Sequence, residues 1–171
     1  GATGARLARG MKVVGVIQAR MMSSRLPGKS LRMLNGEPAL MQMVGRLRHA
    51  AQLDHLVVAT SPESANDAIR QLCAARQVDC VTGGADDRDV AGRFRRVQEV
   101  TRGDAFVRIS ADCWLAFPEL VDQVVMEWRT HPDAQYVSNC WPRSYPDGCD
   151  VELLRRDILS VLEGEDLTTA I

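Results

Sequence analysis

The chain has 171 residues, of which 46% are hydrophobic and 25% are charged, and its formal net charge is −1. This length suits one domain with a substantial core, and the composition is that of a soluble globular protein. No block of like charges indicates nucleic-acid or membrane binding, and no apolar run approaches the ~18 residues of a membrane span.

The first ten residues, GATGARLARG, have no apolar stretch of the kind found in a secretory signal. They precede Met11, which resembles a natural start, so residues 1–10 are predicted to be a flexible extension or an expression remnant. Residues 11–171 are predicted to form a single domain. The five cysteines have no C-x-x-C spacing, which argues against a disulfide framework or a zinc site and favours the reducing cytoplasm.

Apolar runs alternate with amphipathic patterns along the rest of the chain. Strands are predicted at 13–18, 55–60, 78–83, 105–110, 134–139 and 150–154. Helical faces, with apolar residues three and four apart, are predicted around 40–47, 65–73, 90–101, 121–128 and 155–165. This alternation predicts an α/β fold with three layers, α/β/α, around a mostly parallel sheet.

Ligands of such sheets bind beyond the carboxyl ends of the strands. The loops predicted at that edge are 19–30, 60–64, 111–117 and 139–149. They contain most of the chemically distinctive residues, so the functional site is predicted there.

The first of these loops ends in Gly28-Lys29-Ser30, as a Walker A loop does. A Walker A loop also needs a glycine five positions before Gly28, where Ser23 stands, and the intervening residues are bulky. The pattern therefore excludes a P-loop. Three cations and two hydroxyls remain within ten positions, and they are Arg20, Ser23, Ser24, Arg25 and Lys29. These groups suit a triphosphate, although a solvated basic loop explains the composition alone equally well.

The loop QARMMSSRLPGKSL (18–31) closely resembles the signature A-R-x-x-S-x-R-L-P-G-K of cytidylyltransferases that make CMP-activated sugars, such as CMP-Kdo and CMP-sialic acid synthetases. The nearest likeness is to the branch of spore-coat polysaccharide biosynthesis. Further segments resemble family motifs in the same order, namely VVATSP (57–62), RDVAGRF (88–94), VRISADCWL (107–115), YVSN (136–139) and YPDGCDVE (145–152). The resemblance covers residues 11–171 and implies the fold of nucleotide-diphospho-sugar transferases, which is GT-A-like.

The resemblance implies transfer of CMP from CTP to a sugar hydroxyl, with release of pyrophosphate, in surface polysaccharide biosynthesis. The sugar would be acidic or modified, for example a nonulosonic or Kdo-like acid. Mg²⁺ is the implied cofactor, CTP and a sugar are the implied ligands, and the family also allows a homodimer. No nucleic-acid or membrane partner is expected.

The resemblance also implies roles for individual residues. Arg20, Arg25 and Lys29 are the expected catalytic cations on the phosphates. The expected nucleotide-binding residues are Gln18, Ala19, Ser23, Ser24, Gly28, Thr60, Ser61 and Arg108, with residues 59–61 at the edge of the base. Tyr145, Asp147, Asp150 and Glu152 are expected near the sugar, with Asp150 preferred. Pro-Asp-Gly is also turn chemistry, so Asp147 fits a turn equally well.

Asp112 follows the predicted strand 105–110, where a carboxylate suits Mg²⁺, a hard cation that prefers oxygen ligands. The family's G-D motif assigns it that role, although an aspartate here is also common as a helix cap or turn residue. Arg108 is expected to orient Asp112 or to reach the substrate.

Two departures from the family pattern motivate an alternative. Ala111 and Trp114 replace the usual glycine and proline beside Asp112, and the chain stops before a further strand with a second metal-binding aspartate. The alternative is a catalytically weak nucleotide-binding protein that acts as a partner or regulatory module. A sugar-1-phosphate nucleotidylyltransferase using UTP, GTP or dTTP is disfavoured, because those enzymes carry a glycine-rich motif where this chain has Gln18-Ala19-Arg20.

Overall fold

The computed structural model describes residues 10–23, 26–131 and 133–161. The strands in these ranges are β1 Val13–Gln18, β2 Met33–Leu34, β3 Glu37–Pro38, β4 His55–Thr60, β5 Cys80–Thr82, β6 Ala105–Ser110, β7 Tyr136–Ser138 and β8 Glu152–Arg155. The helices are α1 Ala39–Leu47, α2 Asp67–Ala75, α3 Val90–Thr101, α4 Pro118–Thr130 and α5 Arg156–Val161. Short 3-10 turns precede α1 and α2, at Lys29–Leu31 and Ser64–Asn66.

The predicted elements are present, and three predicted strands, β1, β4 and β6, have the expected bounds. The strands predicted at 78–83 and 134–139 are shorter, because only their central residues pair with a neighbouring strand. The strand predicted at 150–154 begins at Glu152, so Asp150 lies in the preceding loop and does not alternate with Glu152 along a strand. The helix predicted at 155–165 is present as α5, and its later residues lie outside the described ranges.

Six strands form the main sheet, in the order β5-β4-β1-β6-β8-β7. The strands β5, β4, β1 and β6 are mutually parallel, whereas β8 runs antiparallel to both of its neighbours. The prediction of a mostly parallel sheet is therefore confirmed, with β8 as the reversed strand.

Helices cover both faces of the sheet. Along β1, Val13 and Ile17 belong to the core formed with α1, α2 and α4, whereas Val14 and Val16 belong to the core formed with α3 and α5. This division follows from the two-residue period of a strand and explains why β1 reads as a continuous apolar run. Within the described ranges, no helix combines the length and apolar character needed to cross a bilayer.

The register between β1 and β6 brings two distant loops together. Gln18 lies beside Ser110 at the ends of these strands, and Ala111 N donates to Gln18 O at 2.8 Å. The antiparallel strand β8 starts at the same edge, where Glu152 lies beside Arg108. The loops after β1 and β6 therefore leave the sheet side by side.

Asp89 stabilises the start of α3, whose first turn lies at this edge. Its Oδ1 accepts from Gly92 N and its Oδ2 from Ala85 N, both at 2.8 Å. We expect Asp89→Ala to lower the free energy of unfolding by about 1–2 kcal/mol, because it removes a helix cap. Urea denaturation would measure the loss, and an unchanged midpoint would contradict the assignment.

Asp89→Asn is the matched control, since it keeps one oxygen acceptor and loses the charge. The hydrogen bond from Ala85 N is the main cause that lowers the pKa of Asp89 in the folded state. The charge of Asp89 therefore stabilises the fold above the unfolded pKa of about 3.9, and this stabilisation is lost as pH falls through the lower folded pKa. The stability difference between the parent and Asp89→Asn should shrink accordingly below about pH 4.

Candidate active site

A cavity of about 300 Å³ opens at the carboxyl edge of the sheet. Its walls come from the ends of β1 and β6, the loops that follow them, and the segment that leads into α3. The lining residues are Gln18, Ala19, Arg20, Lys29, Ser30, Asp87, Arg88, Val90, Arg93, Arg108, Ser110, Ala111 and Asp112. Five of these side chains are cationic and two are carboxylates, so the lining favours a polyanionic ligand.

Lys29 and Asp112 meet at this cavity. Lys29 Nζ donates to Asp112 Oδ2, although the two residues are 83 positions apart. Gly28 places Lys29 by adopting a left-handed conformation, with φ of 71°, and its N–H donates to Met21 O at 2.8 Å. Burial alone would raise the pKa of Asp112, but hydrogen bonds from Lys29 and Ser110 outweigh it and hold that pKa below its ordinary value. Asp112 is therefore ionised at neutral pH.

Arg108 links the floor of the cavity to the reversed strand β8. Its Nε donates to Gln18 Oε1 at 2.8 Å, and its Nη1 donates to Glu152 Oε1 at 2.6 Å. Tyr136 OH donates to the other oxygen of Glu152 at 3.1 Å. The contacts of Arg108 thus orient Gln18 and Glu152 rather than Asp112. Arg108 lines the cavity, so the expectation that it reaches the substrate stays a prediction.

Arg93 holds the wall that leads into α3. Its side chain is almost fully enclosed, since the residue is only 3% exposed, and its Nη2 donates to Asp86 O at 3.1 Å and Asp87 O at 3.0 Å. Burial lowers the pKa of the Arg93 guanidinium, but arginine stays charged at any pH of interest. A buried cation therefore lies on the same wall as the carboxylate of Asp87.

The family model for cytidylyltransferases matches residues 14–143 of this chain. The chain belongs to the cytidylyltransferase family. It is 36% identical over 132 residues to the spore coat polysaccharide biosynthesis protein SpsF of Bacillus subtilis, a match that covers 74% of this chain and 54% of SpsF. It is 34% identical over 141 residues to the mitochondrial 3-deoxy-manno-octulosonate cytidylyltransferase of Arabidopsis thaliana. This match covers 81% of this chain and 47% of the Arabidopsis protein.

A solved cytidylyltransferase structure from Leptospira borgpetersenii has the same fold. The TM-score is 0.82 at 28% sequence identity, over 90% of this chain and 64% of the other. The family and the fold expected from the sequence are thus confirmed. The chain spans about half the length of the curated relatives that it matches.

The cytidylyltransferase cavity contains part of the residue set expected from the family pattern. The expected residues that line it are Gln18, Ala19, Arg20, Lys29, Arg108 and Asp112. The expected residues that are described but do not line it are Ser23, Gly28, Thr60, Ser61, Tyr145, Asp147, Asp150 and Glu152. Ser24 and Arg25 lie outside the described ranges.

Several hydroxyl residues in the loops after β1 and β4 were expected to bind the nucleotide, and the structure places most of them outside the cavity lining. Ser23 Oγ accepts from Leu26 N at 3.5 Å within the loop itself. Ser30, which follows Lys29, is buried and lines the cavity. Thr60 and Ser61 are buried at the end of β4. Ser61 Oγ donates to Asp87 Oδ1 at 2.7 Å, so Ser61 contacts the cavity lining through Asp87.

The residues expected near the sugar are dispersed along the segment before β8. Tyr145 OH donates to Gln123 Oε1 at 2.9 Å. Asp147 and Asp150 each form an ion pair with Arg143 at 2.8 Å. Of the four expected sugar residues, Glu152 contacts a residue of the cavity lining, through its ion pair with Arg108.

Several lining residues were missed in the sequence, namely Ser30, Asp87, Arg88, Val90, Arg93 and Ser110. A signal for part of this set was present, because RDVAGRF (88–94) resembles a family segment. That segment reads as an amphipathic helix, and nothing in its pattern shows that Arg93 is buried beside a cavity.

The donor set of the cavity fits a magnesium ion held together with substrate phosphates. No cluster of three His, Cys, Asp or Glu side chains that could hold a metal exists in the part of the chain that the structure describes. Magnesium in such enzymes commonly uses one or two carboxylates, with phosphate and water oxygens completing its shell. Asp112, which is ionised and lines the cavity, carries the kind of hard oxygen atom that magnesium prefers.

Proposed function

We propose that this chain carries the CTP-binding and CMP-transferring site of a cytidylyltransferase that acts on an acidic or modified sugar in surface polysaccharide biosynthesis. The observation that carries the proposal is the pairing of Lys29 with Asp112 in a cationic cavity at the ends of β1 and β6. Both residues stand in segments that follow the family signature.

The reaction would form one P–O bond and break another. The sugar hydroxyl attacks the α-phosphate of CTP, loses its proton, and pyrophosphate leaves with the bonding electrons. Negative charge grows on the non-bridging and leaving oxygens, so catalysis is mostly positioning and electrostatic stabilisation. Arg20 and Lys29 are the lining cations of the signature loop, and we assign them to the phosphates.

Asp112 is the residue that would hold magnesium. When bound, the ion would neutralise charge on the phosphate oxygens. Asp112 suits this role because its lowered pKa keeps it an anion. Lys29, the direct partner of Asp112, would lie within reach of the same phosphates.

The substrate class rests on the relatives and on charge. The Arabidopsis relative is named for 3-deoxy-manno-octulosonate, a sugar acid. A sugar acid adds a carboxylate to the four negative charges of a triphosphate. The cations in the cavity lining outnumber its carboxylates, and this excess of positive charge would attract both anionic substrates.

Trp114, which departs from the family pattern, does not fill the cavity. Trp114 Nε1 donates to Ala111 O at 2.6 Å, and the indole is not part of the lining. Ala111, the other departure, is a lining residue of the cavity. Trp114 therefore gives little support to the alternative, in which the chain is a catalytically weak nucleotide-binding protein.

Calorimetry with CTP, with and without magnesium, tests the binding half of the proposal. Pyrophosphate release in the presence of CTP, magnesium and a panel of sugar acids tests the reaction. We expect CTP to bind and one sugar acid to trigger release. Absence of CTP binding would refute the proposal, and binding without release from any sugar would favour the partner or regulatory role.

A further inference from the structure

The ion pair between Lys29 and Asp112 occupies the carboxylate that we assign to magnesium. Lys29 Nζ donates to Asp112 Oδ2, and the two side chains are 18% and 38% exposed. A divalent cation and an ammonium group repel each other, and in a partly enclosed cavity water and salt screen this repulsion only in part. The metal and Lys29 therefore compete for Asp112.

The backbone of Lys29 is fixed, whereas its side chain is long and flexible. Gly28, with φ of 71°, donates from its N–H to Met21 O at 2.8 Å and precedes the 3-10 turn Lys29–Leu31. Ser30, the next residue of this turn, is buried. The unbranched stem of a lysine lets its ammonium group change partners while the loop stays in place.

The side-chain pair is not needed to join the two loops that carry it. The loops after β1 and β6 are already joined through the backbone, since Ala111 N donates to Gln18 O at 2.8 Å. Partly exposed ion pairs also add little to stability. A purely structural role for the pair is therefore disfavoured, and a role in ligand binding is favoured.

A bound triphosphate would offer Lys29 a stronger partner than Asp112. The phosphates carry several negative charges against the single charge of the carboxylate, and Lys29 lines the cavity to which we assign them. When the ammonium group turns to the phosphates, the oxygen atom that it leaves becomes available to the divalent cation that accompanies CTP.

We propose that Lys29 blocks the metal-binding carboxylate of Asp112 until a nucleotide draws the ammonium group away, so that the divalent cation is taken up together with CTP and not alone. This inference rests on the proposed function and adds an order of binding to it. Asp112 would bind free magnesium weakly and would bind it well once CTP is present. Because binding free energies are linked, CTP and the metal would each strengthen the binding of the other.

The test measures the binding of Mn²⁺, which prefers the same oxygen ligands as magnesium, through its effect on the relaxation of water protons. Lys29→Met keeps the length of the side chain and removes its charge, whereas Lys29→Arg keeps the charge. Without CTP, Lys29→Met should bind Mn²⁺ about 5- to 10-fold more tightly than the parent, and Lys29→Arg should bind it as the parent does.

Two further variants show where the metal binds. Adding Asp112→Asn to Lys29→Met should remove the gain in Mn²⁺ affinity, because the amide is a poor ligand for a hard cation. Lys12→Met should bind Mn²⁺ as the parent does, since Lys12 Nζ donates to Thr101 O, away from the cavity. A gain that persists with Asp112→Asn would place the metal elsewhere and overturn the inference.

The reactivity of Lys29 gives a second measurement, which decides the matter if Lys29→Met does not fold. Mild acylation of Asp112→Asn, followed by mass mapping, should show Lys29 reacting several-fold faster than in the parent, because the ammonium group has lost its anionic partner. Lys12 should react at the same rate in both. Unchanged reactivity of Lys29 would contradict the inference.

The outcomes separate this inference from the proposed function. If folded Lys29→Met binds Mn²⁺ no more tightly than the parent, the block by Lys29 is wrong, and the proposed function stands as long as the parent binds CTP and releases pyrophosphate. If the parent does not bind CTP, the proposed function fails and the inference fails with it. A gain that depends on Asp112, in a chain that binds CTP, supports both.

Discussion

Replacing Lys29 by alanine is expected to lower kcat for CMP transfer by about 100- to 1000-fold, while the Kd for CTP rises less than about tenfold. The physical reason is that the charge near Lys29 grows as pyrophosphate leaves, so the ammonium group stabilises the transition state more than the bound substrate. Steady-state rates of pyrophosphate release, together with calorimetric titration of CTP, would separate the two effects.

The chain offers a matched control for this experiment. Its sequence contains two lysines, Lys12 and Lys29. Lys12 lies just before β1, at the other end of that strand, where its Nζ donates to Thr101 O at 2.7 Å. Lys12→Ala should keep the parent rate. A Lys29→Ala enzyme that is slow only because CTP no longer binds would argue against a role in the chemical step.

The same scarcity of lysine allows a chemical readout that does not depend on turnover. Mild acylation followed by mass mapping would report the accessibility of each ammonium group. CTP with magnesium should protect Lys29 and leave Lys12 unchanged, because only Lys29 lines the cavity. Equal reactivity of Lys29 with and without CTP would place the phosphates elsewhere.

Replacing Asp112 by asparagine is expected to reduce magnesium-dependent CMP transfer by about 1000-fold or more, since the amide is a far weaker ligand for a hard cation. When magnesium is absent, the same replacement should strengthen CTP binding instead of weakening it. The parent then directs the negative charge of Asp112 towards the phosphates, and the variant does not, so the variant should bind free CTP more tightly.

Magnesium titrations of both the rate and CTP affinity would measure these effects. Asp79→Asn is a suitable control, because Asp79 forms an exposed ion pair with His55 away from the cavity. It should behave as the parent does. If Asp112→Asn showed the parent's rate and magnesium dependence, the metal assignment would be wrong.

The strands and helices could be predicted from local sequence, because the spacing of apolar residues in each segment shows which of its sides are buried. The run VVGVIQ is apolar at every position before Gln18 because β1 is covered on both faces. The period of three and four residues in α1 and α4 follows from helices that bury one side. The reversed direction of β8 had no such signal, because a strand that is buried reads alike in either direction.

The candidate site could be predicted in part for a different reason. The cations of the signature loop and Asp112 are recognisable because that chemistry and spacing resemble a known family. Asp87 was missed because a carboxylate in a loop reads as a solvated turn residue. Its environment is set by Ser61 and Asn66, which approach from the end of β4 and the turn before α2.

The amino-acid sequence by itself therefore determined where the strands of the main sheet and the five helices lie, and which loop carries the cations that we assign to phosphate binding. The sequence also placed the loops of Lys29 and Asp112 at one edge of the sheet. Only the tertiary structure decided that these two side chains pair directly and that Arg108 meets Gln18 and Glu152. The physical reason is that helix and strand patterns arise from neighbours a few residues apart. Contacts across 83 or 90 positions depend instead on the pairing of β1 with β6, which ends both strands at the same edge of the sheet.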